Sequence, residues 1–217
     1  MPKQVDHDER RRDIAEAIFG VIGSRGLEGV SLRDVALEAG VSMGSLQHYF
    51  TSKNEMLLFA LSHMRERVLA RLQSDLGRLT NPTRRDIIRA ALRAMLPVDE
   101  PSRQEACVNI AFFSVATVAP DYADLLREGY TRLLVVSKAQ LKDAAEAGEI
   151  SEGIDADREA ESLFFTTQGL IGPILIGVYP PDEALALIDH QLDRIFRWQT
   201  GPDIPVTNQA TPNSELR

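Results

Sequence analysis

Two short helical patterns hinged on one glycine, in the stretch Ser31–Lys53 (SLRDVALEAGVSMGSLQHYFTSK), constrain this chain more than any other feature. Ser31, with Asp34 three residues on, reads as a capping box. Leu32, Val35, Ala36 and Ala39 then recur at the spacing of one helical face. Gly40 supplies the left-handed conformation that ends this helix, and Val41 plugs the corner. Ser42 caps a second helix, Met43 to about Tyr49. Leu46 and Phe50 turn back toward the core, which leaves Met43, Ser45, Gln47 and His48 facing outward. A helix, a turn containing Gly and a short second helix with small polar outward residues make a helix-turn-helix, whose second helix enters the DNA major groove.

The run Gly40–Lys53, G-V-S-x-G-x-L-x-x-Y-F-x-S-K, resembles the DNA-binding signature of the tetracycline-repressor (TetR) family. The preceding helix, Arg10–Ser24 followed by Gly26, is similar too. The strong resemblance covers residues 10–60 and is one of architecture beyond them. It departs at Gln47, where the family often has Tyr, and the His48-Tyr49-Phe50 ending looks like the choline-responsive, BetI-like branch. The resemblance implies a homodimeric, ligand-responsive transcriptional regulator, in most cases a repressor. It places Met43, Ser45 and Gln47 at base edges and His48, Tyr49 and Lys53 at phosphates, with Arg33 and the hydroxyls of Ser42 and Thr51 adding contacts. Gln47 is the best direct reader, since its amide can pair bidentately with adenine. Structural roles stay open for Met43 as partial core, for Tyr49 packed under the short helix and for Lys53 as a surface charge. Two such helices in successive major grooves, about 34–36 Å apart, require a near-palindromic operator.

The charge balance bears on that reading. The chain has 217 residues and a net charge of -8, which excludes a generally sticky nucleic-acid coat. The first 53 residues carry seven Lys and Arg against eight Asp and Glu, so binding rests on local placement of positive groups and helix N-termini. Arg10, Arg11 and Arg12 either reach phosphates or the minor groove, or form a solvated helix end. His7, His48, His63 and His190 are scattered without metal-ligand spacing, and no nucleophile elbow, P-loop or dinucleotide fingerprint occurs. The expectation is no enzyme, no metal and no cofactor. The alternative is a helical small-molecule carrier or enzyme whose helix-turn-helix no longer binds DNA. The single cysteine, Cys107, cannot form a disulfide within the chain, and the charged N-terminus lacks an apolar leader, so a reducing, cytoplasmic setting is expected.

The remaining pattern is all-α: an N-terminal three-helix DNA-binding domain and a C-terminal helical ligand-binding and dimerisation domain, about nine helices in all. Residues 1–9 read as a flexible arm, 10–55 as the helix-turn-helix domain, 56–199 as the ligand-binding and dimerisation domain, and 200–217, rich in Pro, Asn, Thr and Ser, as a disordered tail. A fourth helix begins near Ser52 and runs to Gly77 as the lever between the domains. Asn81-Pro82 reads as the start of a fifth, Ser102 and Glu105 as a capping box for a sixth over 103–118, and Pro120 as the start of a seventh. Asn109, Phe113 and Thr117 share a face of the sixth, which is either a pocket wall or ordinary core. With Phe112, Tyr122, Tyr130, Phe164, Thr167 and Gln168 they make the candidate ligand site, suited to a mainly apolar small molecule. Choline, which the BetI-like resemblance raises, calls for an aromatic cage, and the one Trp, Trp198, lies at the far end of the last helix. From Ser162 to Pro181 no residue is charged. Thr166, Thr167, Gln168 and Pro173 argue against a membrane span, and burial on one side by a second subunit is expected instead. Gly169, Pro173 and Gly177, four apart, and the stripe Leu185, Ile188, Leu192, Ile195 and Phe196 are the expected dimer contacts, with Pro173 kinking or dividing its helix and the last helix running from Asp182 to about Gln199.

Overall fold

In a computed structural model of the chain, residues 2–196 are described, the side chains of 2–6 excepted. The expected tail over 200–217, and Trp198 and Gln199 before it, lie outside the described residues. Those described form nine helices: α1 (Pro2–Arg25), α2 (Leu32–Glu38), α3 (Met43–Tyr49), α4 (Lys53–Gly77), α5 (Arg84–Met95), α6 (Glu100–Ala116), α7 (Pro120–Glu146), α8 (Ala156–Leu175) and α9 (Pro181–Ile195). Among them the only extended pairing is an isolated antiparallel bridge between Ile150 and Phe196. No described helix is long and apolar enough to cross a membrane.

Several boundaries differ from the sequence pattern, each for a local reason. The first helix starts at Pro2 and not at Arg10, so the expected loose arm is helical; Pro2 is tolerated in a first turn, and neither Gly nor Pro interrupts 3–19. Asn81 does not cap α5. It adopts φ 53°, a left-handed conformation that Asn visits more readily than most residues. The cap is Thr83, which closes a full capping box with Asp86. Likewise α6 is capped by Asp99 with Ser102 as the returning partner, which leaves Glu105 free of capping and turned into the protein. Pro173 does not divide its helix: α8 continues through it to Leu175. There the Pro173 carbonyl accepts from the N–H groups of Val178 (2.9 Å) and Tyr179 (3.2 Å), and Gly177 at φ 75° turns the chain away. The last helix ends at Ile195, four residues short of expectation.

Two apolar cores organise these helices. The first joins α1–α3 and the start of α4 to Val108 and Phe112 of α6 and Tyr122 and Leu126 of α7. Phe19, Phe50 and Phe112 are fully buried in it, and each contributes roughly 1.5–3 kcal/mol by leaving water. The second lies among α5, α7, α8 and α9 and includes Ile88, Leu92, Leu141, Leu163, Ile174, Ile188 and Leu192. Arg89 of α5 pins α9 onto it with a forked pair to Asp189, at 2.5 and 2.8 Å, and that guanidinium holds the Asp189 carboxyl below its usual range.

The revised start of α5 is directly testable. Thr83→Ala should lower stability by about 1 kcal/mol in urea unfolding, whereas Asn81→Gly, which keeps the left-handed backbone, should cost no more than a few tenths of a kcal/mol, roughly.

Candidate functional site

The helix-turn-helix is built from side chain–backbone hydrogen bonds at its corners. Ser31 Oγ accepts from the Asp34 N–H at 3.2 Å, so the first cap forms. The expected box does not close in full, because the Asp34 carboxylate accepts instead from the Ser31 hydroxyl and from Arg25, the latter at 2.8 Å. These partners, Ser31 foremost, hold its carboxyl below the ordinary value. Gly40 takes φ 62°, and the N–H of Val41 then closes onto Ala36 O at 2.9 Å. Ser42 Oγ accepts from the Ser45 N–H at 3.1 Å. Leu46 and Phe50, fully buried, fix which side of α3 faces inward.

The outward side of α3 presents Met43, Gln47 and His48, all exposed, with Ser45 half-buried beside them. Ser42, Arg33 and Lys53 are exposed at its borders. Tyr49 is half-buried against the first core, and His7, from the helical N-terminal extension of α1, lies 4.7 Å from its ring. Thr51 is less available than expected: its hydroxyl and N–H both donate to Glu55, at 2.7 and 2.8 Å. Those bonds, with Arg11 nearby, keep the Glu55 carboxyl low. The three N-terminal arginines separate in role. Arg11 lies over the rings of Phe50 (4.7 Å) and Phe59 (4.4 Å) and pairs with Glu55 at 3.4 Å. Arg10 pairs with Asp13 at 3.2 Å, and Arg12 is exposed.

A cavity of about 110 Å³ opens among α4, α5, α6, α7 and α8. It lies at the seam of the two cores, since Met64 and Leu126 belong to the first and Ala106 and Ile171 to the second. Of the expected ligand residues, Asn109, Tyr130 and Gln168 line it. The Tyr130 hydroxyl donates to Asn109 Oδ1 at 3.1 Å, and burial pushes its phenol up in pKa. Phe113, Thr117 and Phe164, again with Tyr130, line a separate groove along α6, α7 and α8. Phe112 and Tyr122 sit elsewhere: their rings pack 5.4 Å apart in the first core, and the Tyr122 hydroxyl donates to Asn54 Oδ1 at 2.6 Å. Thr167 is fully buried, and its hydroxyl donates to Leu163 O at 2.8 Å.

The periodicity of the sequence missed the polar wall of the cavity. Glu105, only 3% exposed, lines it together with Arg71. Arg71 donates to Glu105 Oε2 at 2.5 Å and to Ala94 O at 2.8 Å, and Arg67 Nε lies 2.9 Å from Glu105 Oε1. Arg67 also pairs with Glu16 of α1, whose other oxygen lies 2.9 Å from His63 Nε2. A chain of charges therefore runs from α1 of the helix-turn-helix unit through α4 to the cavity wall. One signal was legible: Arg67 and Arg71 stand four apart on one face of the fourth helix.

The expected dimer stripe on α9 needs correction. Ile188, Leu192, Ile195 and Phe196 are buried in this chain's own second core and Leu185 is half-buried against it, because the inward face of α9 is used on α5 and α8. Of the small-residue series, Gly169 and Gly177 are exposed and Pro173 is half-buried, with open space where a Gly169 Cβ would stand. The apolar side chains left facing out beside them are Phe165, Ile176 and Val178, at 61, 77 and 70% exposure. On α9 the exposed positions are Asp182, Glu183, Ala186, His190, Asp193 and Arg194.

Likeness to known proteins covers both halves. Residues 14–59 match the family of bacterial regulatory proteins, tetR family, and residues 84–197 match the BetI-type transcriptional repressor, C-terminal. The chain is 36% identical over 170 residues to the HTH-type transcriptional regulator PksA of Bacillus subtilis, spanning 78% of this chain and 80% of that one. The crystal structure of a transcriptional regulator from Rhodococcus sp. Rha1 is 32% identical with a TM-score of 0.71, over 84% of this chain and 93% of that one. A Saccharomonospora viridis protein solved in complex with choline shares the fold with a TM-score of 0.78 at 24% identity, over 87% of this chain and 98% of its own.

The turn makes a prediction of its own. Gly40→Ala meets no neighbouring atom, so its cost is conformational alone: about 1–2 kcal/mol lost in thermal or urea unfolding.

Proposed function

The chain belongs to the TetR family of DNA-binding transcriptional regulators, and we propose that it acts as a homodimeric repressor, released from a near-palindromic operator by a small molecule held in the cavity of α4–α8. Its relatives are transcriptional regulators, which are not enzymes. Residues 10–55 serve as the DNA-binding head and 56–199 as the ligand-binding and dimerisation body, working in the cytoplasm where the operator lies. The observation that carries this reading is the position of the cavity, on the seam between the two cores and at one end of the Glu16–Arg67–Glu105 charge chain. A molecule wedged into a seam changes how the two cores sit on each other, and α4 crosses from one to the other. Release follows if the ligand binds one arrangement more tightly than the other.

At the DNA, Gln47 reads base edges with Met43 and Ser45, while His48, Tyr49, Lys53, Ser42 and Arg33 position the helix on phosphates. Thr51 contributes less, its proton being held by Glu55. For the dimer, the outward face of α8 and α9 replaces the buried stripe: Phe165, Gly169, Ile176 and Val178 beside Ala186 and His190. Exposed apolar residues rimmed by polar ones favour an association surface, and a twofold four-helix packing would cover them. The body lining is mainly apolar, with Met64, Val68, Leu69 and Leu133 among its walls.

Fluorescence anisotropy on the DNA upstream of the protein's own gene tests the head. Wild type should bind one near-palindrome tightly. Gln47→Ala should lose about 1–3 kcal/mol of discrimination, and Lys53→Ala should weaken all sequences alike and reduce the salt slope by about one. Weak binding indifferent to sequence and to both changes would leave a carrier with a vestigial helix-turn-helix. Light scattering tests the dimer: Gly169→Arg, at an exposed position where an added Cβ meets nothing within 4 Å, should yield a folded monomer with reduced operator affinity.

A further inference from the structure

We propose that the cavity selects an amphipathic molecule with an anionic head, a carboxylate above all, and not a quaternary ammonium; this rests on the reading of the cavity as the effector site. Charge is the first support. Among the described residues the lining carries Arg65, Arg71 and Arg132 against Glu105 as its one carboxylate. Glu105 is already met by two guanidiniums, Arg71 at 2.5 Å and Arg67 at 2.9 Å. Arg65 and Arg132 share a single further carboxylate, Glu128, at 3.7 and 2.8 Å. Both oxygens of the Glu105 carboxylate are thus ion-paired, Oε1 without a hydrogen bond of its own, while the guanidiniums outnumber their partners. The second support is an unmet donor: Arg71 Nε is buried without an acceptor. A buried N–H of this kind favours a ligand that brings an acceptor, and a guanidinium binds a planar carboxylate through two parallel bonds. The third is the absence of a cage. Among the described residues Tyr130 is the one aromatic ring on the lining, whereas a quaternary ammonium is held by several ring faces. The apolar tail of the ligand rests on Met64, whose thioether adapts to irregular shapes, and its neighbours.

The same geometry connects the head group to release. An anion on Arg71 competes with Glu105 for that guanidinium. Glu105 must then draw more strongly on Arg67, which is the residue that also holds Glu16 of α1. The ligand's charge thus reaches the DNA-binding head through three side chains.

The test uses the full chain and chemically matched probes: decanoate, decanol, decyltrimethylammonium and choline, measured by isothermal titration calorimetry and by release of fluorescent operator. Decanoate should bind at least about tenfold more tightly than the other three, the difference expected of one charge-assisted contact. Arg71→Gln should remove that advantage and leave decanol unchanged. Because Arg71 also supports Glu105, Arg65→Gln is the second variant: it disturbs only a 3.7 Å pair and should weaken decanoate selectively without loss of fold. Equal or tighter binding of decanol or of either ammonium compound overturns the anionic class, and so does binding by none of the four. Leu133→Trp, which fills the cavity, separates the two layers of the argument. Decanoate binding that survives it places the effector elsewhere and overturns the site itself.

Discussion

A carboxylate buried to 3% exposure is the constraint around which this molecule is arranged. Glu105 is tolerable on the inner face of α6 only because α4 presents Arg67 and Arg71 one turn apart, one guanidinium to each oxygen. Taking such a charge out of water is costly unless it is paired and hydrogen-bonded, and breaking one side of a buried pair costs on the order of 3–5 kcal/mol. The register of α6 on α4 is therefore fixed by charge as well as by shape. Arg71 extends the link to α5 through Ala94 O, and Arg67 extends it to α1 through Glu16. Four helices are thus linked through one carboxylate and the two arginines that hold it, at the wall of the cavity.

Legibility followed range. The helix-turn-helix could be read because its determinants are close in sequence: Ser31, Gly40 and Ser42 act on residues within five positions, and all three do so in the structure. The all-α architecture followed for the same reason, from caps and periodicity. Errors arose where two local signals competed. Asn81-Pro82 and Thr83-x-x-Asp86 are both respectable helix starts, and the full box at Thr83 prevailed. Asp99 and Ser102 formed their box one turn earlier than Ser102 and Glu105 could have done, and that one choice sent Glu105 inward.

The candidate site was legible in part, and the reason is physical. An apolar stripe reports that a face is buried but not what buries it. The α9 stripe was read as a dimer contact, yet its residues are covered by α5 and α8 of the same chain. Neighbouring residues also diverge: Phe112 is fully buried while Phe113 is 55% exposed, a difference set by the rotation of α6 on its neighbours. The cavity is assembled from five helices, so its polar wall of Arg71, Glu105, Asn109 and Gln168 has no counterpart in any contiguous motif.

The first core does not stop at the end of the helix-turn-helix. Ile18, Phe19 and Phe50 of the head share it with Val108, Phe112, Tyr122 and Leu126 of the body, and α1 packs directly against α6. Heads and bodies of this architecture are consequently not interchangeable blocks. A chimaera that grafts residues 10–55 onto another body would set apolar side chains against a surface that never matched them. Repositioning would demand that parts of α6 and α7 travel with the graft. Under the proposed assignment of Met43 and Gln47 to base edges, sequence specificity is freer to drift, because both side chains are exposed on the far side of α3. Operator preference and domain exchange are thus subject to opposite pressures within one small unit, the former loosely held and the latter strongly opposed.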